Sequence, residues 1–166
     1  KLSMFEKKEI ELKYETVTLK QVVEEVVSSL KLQLEKYGAK ITFTQEGDSV
    51  IQGDRLHLLS VVFNLIDNAL KYCKIKPSVR IEVKDKETAV VLTVADNGIG
   101  IAPEYQGKIF EKFFRIPHGD THNAKGYGLG LSYAAQVIQK HNGTIEVESK
   151  AGMGTKFTIT LPKAIV

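Results

Sequence analysis

Residues 64–72, NLIDNALKY, carry the most informative pattern in this chain of 166 residues. Asn64, Asn68 and Lys71 stand at i, i+4 and i+7, so on a helix they share one face beside an apolar stripe. A carboxamide oxygen is a hard, neutral ligand of the kind that Mg²⁺ accepts while it keeps waters and substrate phosphates. The three residues could therefore hold a magnesium–triphosphate unit, although a solvated polar flank explains them equally well.

The helix that contains this stretch is predicted to open at Asp54 and to end near Cys73. Cys73 cannot form an internal disulfide because it is the sole cysteine, which indicates a reducing compartment. Packing is the expected role of its thiol, and also of His57 on the same helix. The apolar spacing predicts the buried stripe of the helix: Leu56, Leu59, Phe63, Ile66 and Leu70.

Two strands are predicted downstream within residues 78–96, joined at KDKE, and the second ends at Asp96. The following DNGIGI begins with an ordinary turn signal. A carboxylate at a strand end can also accept a hydrogen bond from an exocyclic amine. Gly98 and Gly100 would let a flat base lie against the backbone, with Ile101 as an apolar wall.

Residues 97–128 are predicted to form a long loop with one short helix near 104–110, and loops of this length usually serve as lids or binding loops. The loop runs into GYGLGL, residues 126–131, ahead of a third helix from Leu129 to about His141. A dinucleotide fingerprint would require a glycine at 131, where leucine stands. A P-loop would require Gly-Lys-Ser or Gly-Lys-Thr, which the chain lacks.

The remaining segments complete an α+β pattern. A strand is predicted at residues 11–16, followed by a helix from Thr18, with Gln21 completing a capping box, to Gly38. Residues 39–45 and 49–52 are predicted to pair as a hairpin around EGD. Two strands, GTIEVES and GTKFTITLP, end the chain. The pattern predicts a mixed, largely antiparallel sheet with three main helices on one face.

Composition excludes several classes of protein. With 43% hydrophobic and 26% charged residues, the chain is ordinary for one globular domain. Its net charge of +3 is too mild to indicate nucleic acid but suits an anionic small ligand. The longest nearly apolar run, residues 89–95, is far too short to span a membrane. No signal peptide is visible, and the charged start has the character of a cut from a longer chain.

Five motifs together resemble one family. NLIDNALKY, DNGIGI, FEKFFR, GYGLGL and GMGT occur in the order and spacing of the ATP-binding catalytic domain of bacterial two-component sensor histidine kinases. That family belongs to the superfamily of DNA gyrase, heat-shock chaperone and MutL-type mismatch-repair ATPases. The resemblance runs from about residue 5 to residue 162. It implies a two-layer α/β sandwich, the Bergerat-type ATP-binding fold.

The resemblance implies a role for each residue at the phosphate end of the site. Asn68 would be the Mg²⁺ ligand, and Asn64 would contact phosphate or a metal-bound water. Lys71 would touch phosphate oxygens. Arg115 would pair either with phosphates or with the phosphoacceptor domain, and the resemblance leaves both open. Backbone amides at 129–131 would meet phosphates at a helix N-terminus.

The resemblance also implies the contacts of the base and the lid. Asp96 would accept a hydrogen bond from the adenine amino group, with Gly98 and Gly100 shaping the pocket. Residues 115–128 would be a mobile ATP lid, so we expect 116–126 to be poorly fixed without nucleotide. Phe113 and Phe114 would stand at its base in a phenylalanine box. The other implied nucleotide contacts are Tyr72, Ile101, Phe110, Gly126, Gly128, Leu129, Gly130, Leu131 and Thr155.

Transfer to a histidine is expected rather than hydrolysis. The superfamily's ATPases typically carry a glutamate where this chain has Asn64, and a neutral carboxamide cannot act as a general base. The acceptor must then supply its own nucleophile, and catalysis becomes positioning plus charge stabilisation. His57, His118, His122 and His141 stand outside any motif like His-Glu-x-Arg-Thr-Pro. We therefore expect a domain that binds ATP but does not phosphorylate itself.

The resemblance also implies a setting for the domain. Residues 1–10 would be a remnant of the preceding phosphoacceptor helix or linker, and 11–166 the catalytic domain. Expected partners are ATP, the dimerisation and phosphoacceptor domain of the same full-length kinase and, indirectly, a response regulator, but no nucleic acid. The isolated domain would be monomeric and cytoplasmic, with the full-length protein anchored in the bacterial inner membrane. Two alternatives stay open: a nucleotide-binding scaffold without transfer activity, and a hydrolysing ATPase.

Overall fold

The structure, a computed structural model, describes residues 10–73, 75–112, 114 and 129–163. Five helices and seven strands lie within these ranges. The helices are α1 Leu19–Ser29, α2 Lys31–Tyr37, α3 Arg55–Lys71, α4 Pro103–Gln106 and α5 Leu129–Lys140. The strands are β1 Glu15–Thr18, β2 Lys40–Glu46, β3 Val50–Gly53, β4 Ser78–Asp85, β5 Ala89–Asp96, β6 Thr144–Lys150 and β7 Gly154–Pro162. None of the helices in these ranges has the length and apolarity that crossing a bilayer demands.

The larger sheet is mixed, as the sequence predicted. Its strand order is β2-β4-β5-β7-β6, with β2 parallel to β4 and every other neighbouring pair antiparallel. Alternate residues of its central strands are buried, and α3 lies between α1 and α5 on that side. The predicted α+β architecture with helices covering one face of the sheet is therefore confirmed.

The predicted hairpin between residues 39–45 and 49–52 is wrong. β2 pairs with β4, whereas β3 pairs with β1 in a separate two-stranded antiparallel sheet. The turn between them is bound to another segment, because the Asp85 carboxylate accepts hydrogen bonds from the backbone N–H groups of Asp48 and Ser49 at 3.0 and 3.1 Å. The EGD turn signal predicts that the chain reverses direction, but it does not determine which strand pairs with β2 or β3.

The predicted single helix from Thr18 to Gly38 divides at Leu30, whose side chain is fully buried between α1 and α2. The predicted capping box is also wrong, since the Thr18 side chain makes no capping hydrogen bond. Ser49 takes that role from outside the helix. Its carbonyl oxygen accepts from Leu19 N at 3.0 Å and its hydroxyl accepts from Lys20 N at 3.3 Å. The glycine stop is confirmed, with Gly38 at φ +63°.

The buried face of α3 differs from the predicted stripe. Leu56 is 74% exposed and Phe63 is 38% exposed, whereas Ile66 and Leu70 are buried as predicted. The helix lies between two neighbouring helices above the sheet, so its apolar face is wider than the stripe of a surface helix. The buried apolar residues of α3 are Leu58, Val61, Val62, Leu65, Ile66, Ala69 and Leu70.

A buried polar junction joins the start of α3 to the end of α5. Asp54 caps α3 by accepting from His57 N at 3.1 Å, and it also accepts from Lys13 N at 2.8 Å. Burial opposes the ionised form, but these two N–H groups hold the pKa of Asp54 below its ordinary value. His141 is buried, and its Nε2 accepts from Asp54 N at 2.9 Å while Nδ1 donates to Val137 O at 2.7 Å. The sequence predicted the cap but not the histidine.

Replacing His141 by leucine should lower the free energy of unfolding by about 1–3 kcal/mol, because a buried Asp54 N–H loses its acceptor. Urea denaturation measures the change. Tyr14→Phe is the matched control at the same junction. It removes an exposed hydrogen bond from Tyr14 Oη to Lys140 O, so we expect an effect within about 0.5 kcal/mol. Equal effects of the two variants would contradict the structural role of His141.

Candidate nucleotide-binding site

The end of β5 and the start of β7 bring the predicted base-binding residues together. Asp96 and Thr155 are directly opposed in the antiparallel pair of these strands. Asp96 Oδ1 accepts from Gly98 N at 2.8 Å and from Thr155 N at 3.3 Å. Within the described ranges no hydrogen-bond donor contacts Oδ2. The carboxylate is thus fixed through one oxygen and has the other for a ligand.

Burial disfavours the ionised form of Asp96 and raises the pKa of its carboxyl, although the two backbone N–H groups act in the opposite direction. A partly desolvated carboxylate binds a hydrogen-bond donor more strongly than a hydrated one does. Asp96 is therefore chemically suited to accept from an exocyclic amine.

Three glycines allow three chain segments to meet behind this carboxylate. A Cβ on Gly98 would lie 2.5 Å from Tyr72 O, at the end of α3. Gly100 has φ +75°, and its Cβ would lie 2.1 Å from Lys150 O. Gly154 has φ +121°, and its Cβ would lie 2.1 Å from Asp96 O. The DNGIGI and GMGT motifs therefore form the two sides of one junction, and a side chain at any of these three glycines would force the two sides apart.

Gly154→Ala should destabilise the fold by more than about 2 kcal/mol, because positive φ and a backbone clash act together. Gly152→Ala is the informative comparison. Gly152 has φ +80°, but no other part of the described chain lies within 4 Å of its Cβ position, so only the cost of about 1 kcal/mol for positive φ is expected. Gly107→Ala, at φ −75° and in open space, should be neutral. Urea denaturation of the three variants tests this order, and equal loss at 152 and 154 would contradict the close approach.

Ser149 binds the two sides of the junction together. Its Oγ accepts from Ile101 N at 2.7 Å, donates to Gly154 O at 2.7 Å and lies 2.9 Å from Thr155 Oγ1. Gln106 of α4 supports the same junction, since its Nε2 donates to the carbonyl oxygens of Ile101 and Ser149, both at 2.9 Å.

Neither Ser149 nor Gln106 is among the residues predicted for the site. The sequence could have indicated Ser149. Ser149 and Thr155 directly flank the 150–154 turn on either side, and residues in such positions face each other across a hairpin. An open pocket of about 440 Å³ adjoins the junction. The side chains of its lining that alternate with Asp96, Ser149 and Thr155 place it on the opposite face of the sheet: Ala95, Glu148, Lys150 and Lys156.

The predicted phosphate-binding residues line up along α3. Asn68 is only 4% exposed, and its Nδ2 has no hydrogen-bond partner in the described part of the chain. Asn64, one turn earlier, is half-buried. Lys71 forms an ion pair with Asp67 at 2.9 Å, and this hydrogen bond raises the pKa of the Lys71 ammonium. The lysine therefore stays charged, but any phosphate contact requires it to share or leave Asp67.

The side chains on this face of α3 fit a magnesium–phosphate unit. The Asn68 carboxamide oxygen is a ligand type that Mg²⁺ takes. Its buried Nδ2, which has no partner among the described residues, can only donate and so suits a phosphate or water oxygen beside the ion. No group of three or more His, Cys, Asp or Glu side chains in the described ranges could hold a metal by itself. A magnesium ion here would therefore take most of its ligands from water and phosphates, as Mg²⁺ commonly does.

The structure also places the other predicted contacts. Tyr72, Ile101, Leu131 and Thr155 are buried. Phe110 and Phe157 meet edge to face, with ring centroids 6.2 Å apart. α5 begins at Leu129, as predicted. Tyr105 packs against Phe114, with ring centroids 6.0 Å apart. The remaining predictions lie outside the described residues: Phe113, Arg115, Gly126, Gly128, the lid over 116–126 and the side chain of Leu129.

Comparisons with known proteins agree with this geometry. The sequence profile described as histidine kinase-, DNA gyrase B-, and HSP90-like ATPase matches residues 53–165. Sensor protein RprX of Bacteroides fragilis (strain YCH46) is 39% identical over 164 residues, which cover 97% of this chain and 32% of RprX. Sensor protein SrrB of Staphylococcus aureus (strain NCTC 8325 / PS 47) is 36% identical over 131 residues, which cover 79% of this chain and 22% of SrrB. The chain thus spans about a third or less of the length of these relatives.

A solved structure has the same fold. The catalytic domain of histidine kinase ThkA, in a nucleotide-free form, superimposes with a TM-score of 0.80 at 26% identity, covering 92% of this chain and 99% of ThkA's. ThkA has also been solved in complex with response regulator protein TrrA, where the TM-score is 0.79 at 26% identity and the coverage is 98% of this chain and 45% of that one. The chain therefore belongs to the histidine kinase-, DNA gyrase B- and HSP90-like ATPase family and, within it, to the catalytic domains of sensor histidine kinases.

Proposed function

We propose that this domain binds Mg-ATP and transfers the γ-phosphoryl group to a histidine of a phosphoacceptor domain. The observation that carries the proposal is the Asp96 carboxylate. One of its oxygens is held by Gly98 N and Thr155 N, and the other has no donor among the described residues. A half-buried carboxylate held in this way fits a ligand that donates from an amine, such as adenine.

The phosphate end of the nucleotide lies, in this proposal, between α3 and the start of α5. Asn68 would hold Mg²⁺, with Asn64 on phosphate or on a metal-bound water. Lys71 would bind phosphate oxygens while it keeps its ion pair with Asp67. Backbone amides at 129–131 would act as anion-binding donors at a helix N-terminus. When bound, magnesium would neutralise charge on the transferring phosphoryl group.

Transfer is favoured over hydrolysis because the residues expected beside the reacting phosphate include no suitable general base. Asn64 is a neutral carboxamide and cannot take a proton from water. Asp67, the nearest carboxylate along α3, is already paired with Lys71. An incoming histidine would supply its own neutral imidazole nitrogen as the nucleophile. The role of the domain is then to orient ATP and to stabilise charge.

Incubation with γ-labelled ATP, magnesium and a supplied phosphoacceptor domain tests the proposal. We expect acid-labile label on the acceptor histidine and none on this chain. An acceptor whose histidine is replaced by glutamine is the control. Nucleotide binding without labelled acceptor would instead indicate a scaffold module. Release of inorganic phosphate without any acceptor would indicate a hydrolysing ATPase.

The domain boundaries and partners are also proposals. Lys13 N bonds to Asp54, which supports a catalytic domain over 11–166, and residues 1–10 would then be a remnant of the phosphoacceptor helix or linker. The complex of ThkA with TrrA supports a response regulator as an indirect partner. We infer a cytoplasmic, monomeric domain that belongs to a kinase anchored in the inner membrane, by analogy with sensor proteins.

A further inference from the structure

The hydroxyl group of Ser149 has a complete and directed set of hydrogen bonds. A serine hydroxyl can donate once and accept twice. Its donation goes to Gly154 O at 2.7 Å, since that carbonyl can only accept. Ile101 N–H takes one acceptor position at 2.7 Å, since an N–H can only donate. One acceptor position remains for the last neighbour, Thr155 Oγ1 at 2.9 Å.

This arrangement decides where the Thr155 proton points. Because the single proton of Ser149 is already given to Gly154 O, the short contact between the two hydroxyls is a hydrogen bond only if Thr155 donates. Thr155 is 3% exposed, so an unpaired hydroxyl there would be costly. With its proton directed at Ser149, Thr155 Oγ1 has only lone pairs for any other neighbour. It becomes an obligatory acceptor.

We propose that Ser149 is a positioning residue that makes Thr155 a hydrogen-bond acceptor and so tunes the site for a purine with an exocyclic amine. The proposal rests on the proposed nucleotide-binding function. Asp96 and Thr155 are directly opposed on neighbouring strands, so Asp96 Oδ2 and Thr155 Oγ1 then form two acceptors on the same face of the sheet. Two acceptors match the two protons of an amine and oppose a keto oxygen, whose lone pairs would face theirs.

Nucleotide competition binding tests the proposal with three probes: ATP, GTP and purine riboside triphosphate, which lacks the amine. The informative quantity is the ratio of the Kd of purine riboside triphosphate to that of ATP. Ser149→Ala frees the Thr155 proton to turn toward a bound base. We expect ATP affinity to fall by about tenfold, the scale of one hydrogen bond, while purine riboside triphosphate changes by less than about twofold. The preference for ATP over GTP should fall as well.

Gln106→Ala is the matched structural control. It removes hydrogen bonds to Ile101 O and Ser149 O in the same junction but leaves the hydroxyl pair intact. It should lower the melting temperature and weaken all three nucleotides by the same factor, with the ratio unchanged. Thr155→Val should reduce the ratio as Ser149→Ala does. The double variant should reduce it no further, because Ser149 acts through Thr155.

An unchanged ratio in Ser149→Ala, or the same shift in Gln106→Ala, would overturn the role of Ser149 and leave the proposed function intact. If Ser149→Ala does not fold, Ser149→Cys replaces it, since sulfur fills the space but accepts weakly. An unchanged ratio in Thr155→Val would be equally decisive against the proposal. Failure of the unaltered chain to bind any of the three nucleotides would overturn the proposed function itself, and the role of Ser149 with it.

Discussion

Asn68→Ala should lower the rate of phosphoryl transfer to a supplied phosphoacceptor domain by at least about 100-fold, the scale on which losing one preorganised electrostatic contact acts. The fold should be little affected. Asn68 is buried, and its Nδ2 has no hydrogen-bond partner in the described part of the chain, so alanine removes a polar group that makes no contact there. Transfer is measured with γ-labelled ATP, and stability by urea denaturation of the same preparation.

Magnesium dependence gives the Asn68 prediction a second readout. ATP affinity of the unaltered chain should fall when EDTA removes magnesium, whereas Asn68→Ala should bind ATP with similar affinity in either condition. Leu56→Ala is the control on the same helix, because Leu56 is exposed and belongs to no part of the site. Full retention of transfer in Asn68→Ala would refute the assignment of the metal ligand.

Asp96→Asn should weaken ATP binding by about 1–3 kcal/mol while making the fold more stable. The carboxamide oxygen can still accept from Gly98 N and Thr155 N. Its NH₂ group would then stand where Oδ2 was and face the adenine amine as a second donor. Isothermal titration with ATP measures the loss. Unchanged affinity would mean that another group recognises the base.

The stability gain of Asp96→Asn should depend on pH in a defined direction. Burial raises the pKa of Asp96 in the folded state, so the folded chain holds its proton more tightly than the unfolded chain does. The ionised carboxylate therefore weakens the fold at pH values above its raised pKa, and this penalty disappears as pH falls toward the ordinary value of 3.8.

The melting temperature of Asp96→Asn should accordingly exceed that of the unaltered chain at pH 8, and the difference should narrow toward pH 4. Asp48→Asn, an exposed change of the same charge near the opposite end of β5, is the control and should show no such trend. A gain that is constant with pH would contradict desolvation of Asp96 as its cause.

Much of the site could be predicted because its signals are local. Asn64 and Asn68 share a helix face through helical spacing alone, and Asp96 and Gly98 lie within one turn of chain. The base contacts predicted for Gly98 and Gly100 stay predictions, and the structure adds that backbone of Tyr72 and Lys150 closely approaches these two glycines. The spacing of a motif does not predict which chain segment will pack against its glycines.

Most of the misses depend on residues distant in sequence. β2 and β3 each carry a strand pattern, but their partners, β4 and β1, are selected by burial of the whole core. The cap of α1 comes from Ser49, 29 residues after Lys20. The ion pair of Lys71 with Asp67 is local, at i, i+4 on one helix. It was missed because the lysine was assigned to phosphate alone, whereas Asp67 competes with phosphate for the same ammonium group.

Residue order alone therefore carries the helix and strand periods, the glycine-dependent turns and the motif spacing that indicates the family, because each depends on neighbours within a few turns of chain. Tertiary structure adds the contacts that close the site. His141 reaches Asp54 across 87 positions, and Ser149 reaches Ile101 across 48. Such contacts form only where burial of a common core offsets the entropy of bringing distant segments together. For this reason the hydroxyl pair beside Asp96 became visible only in the folded chain.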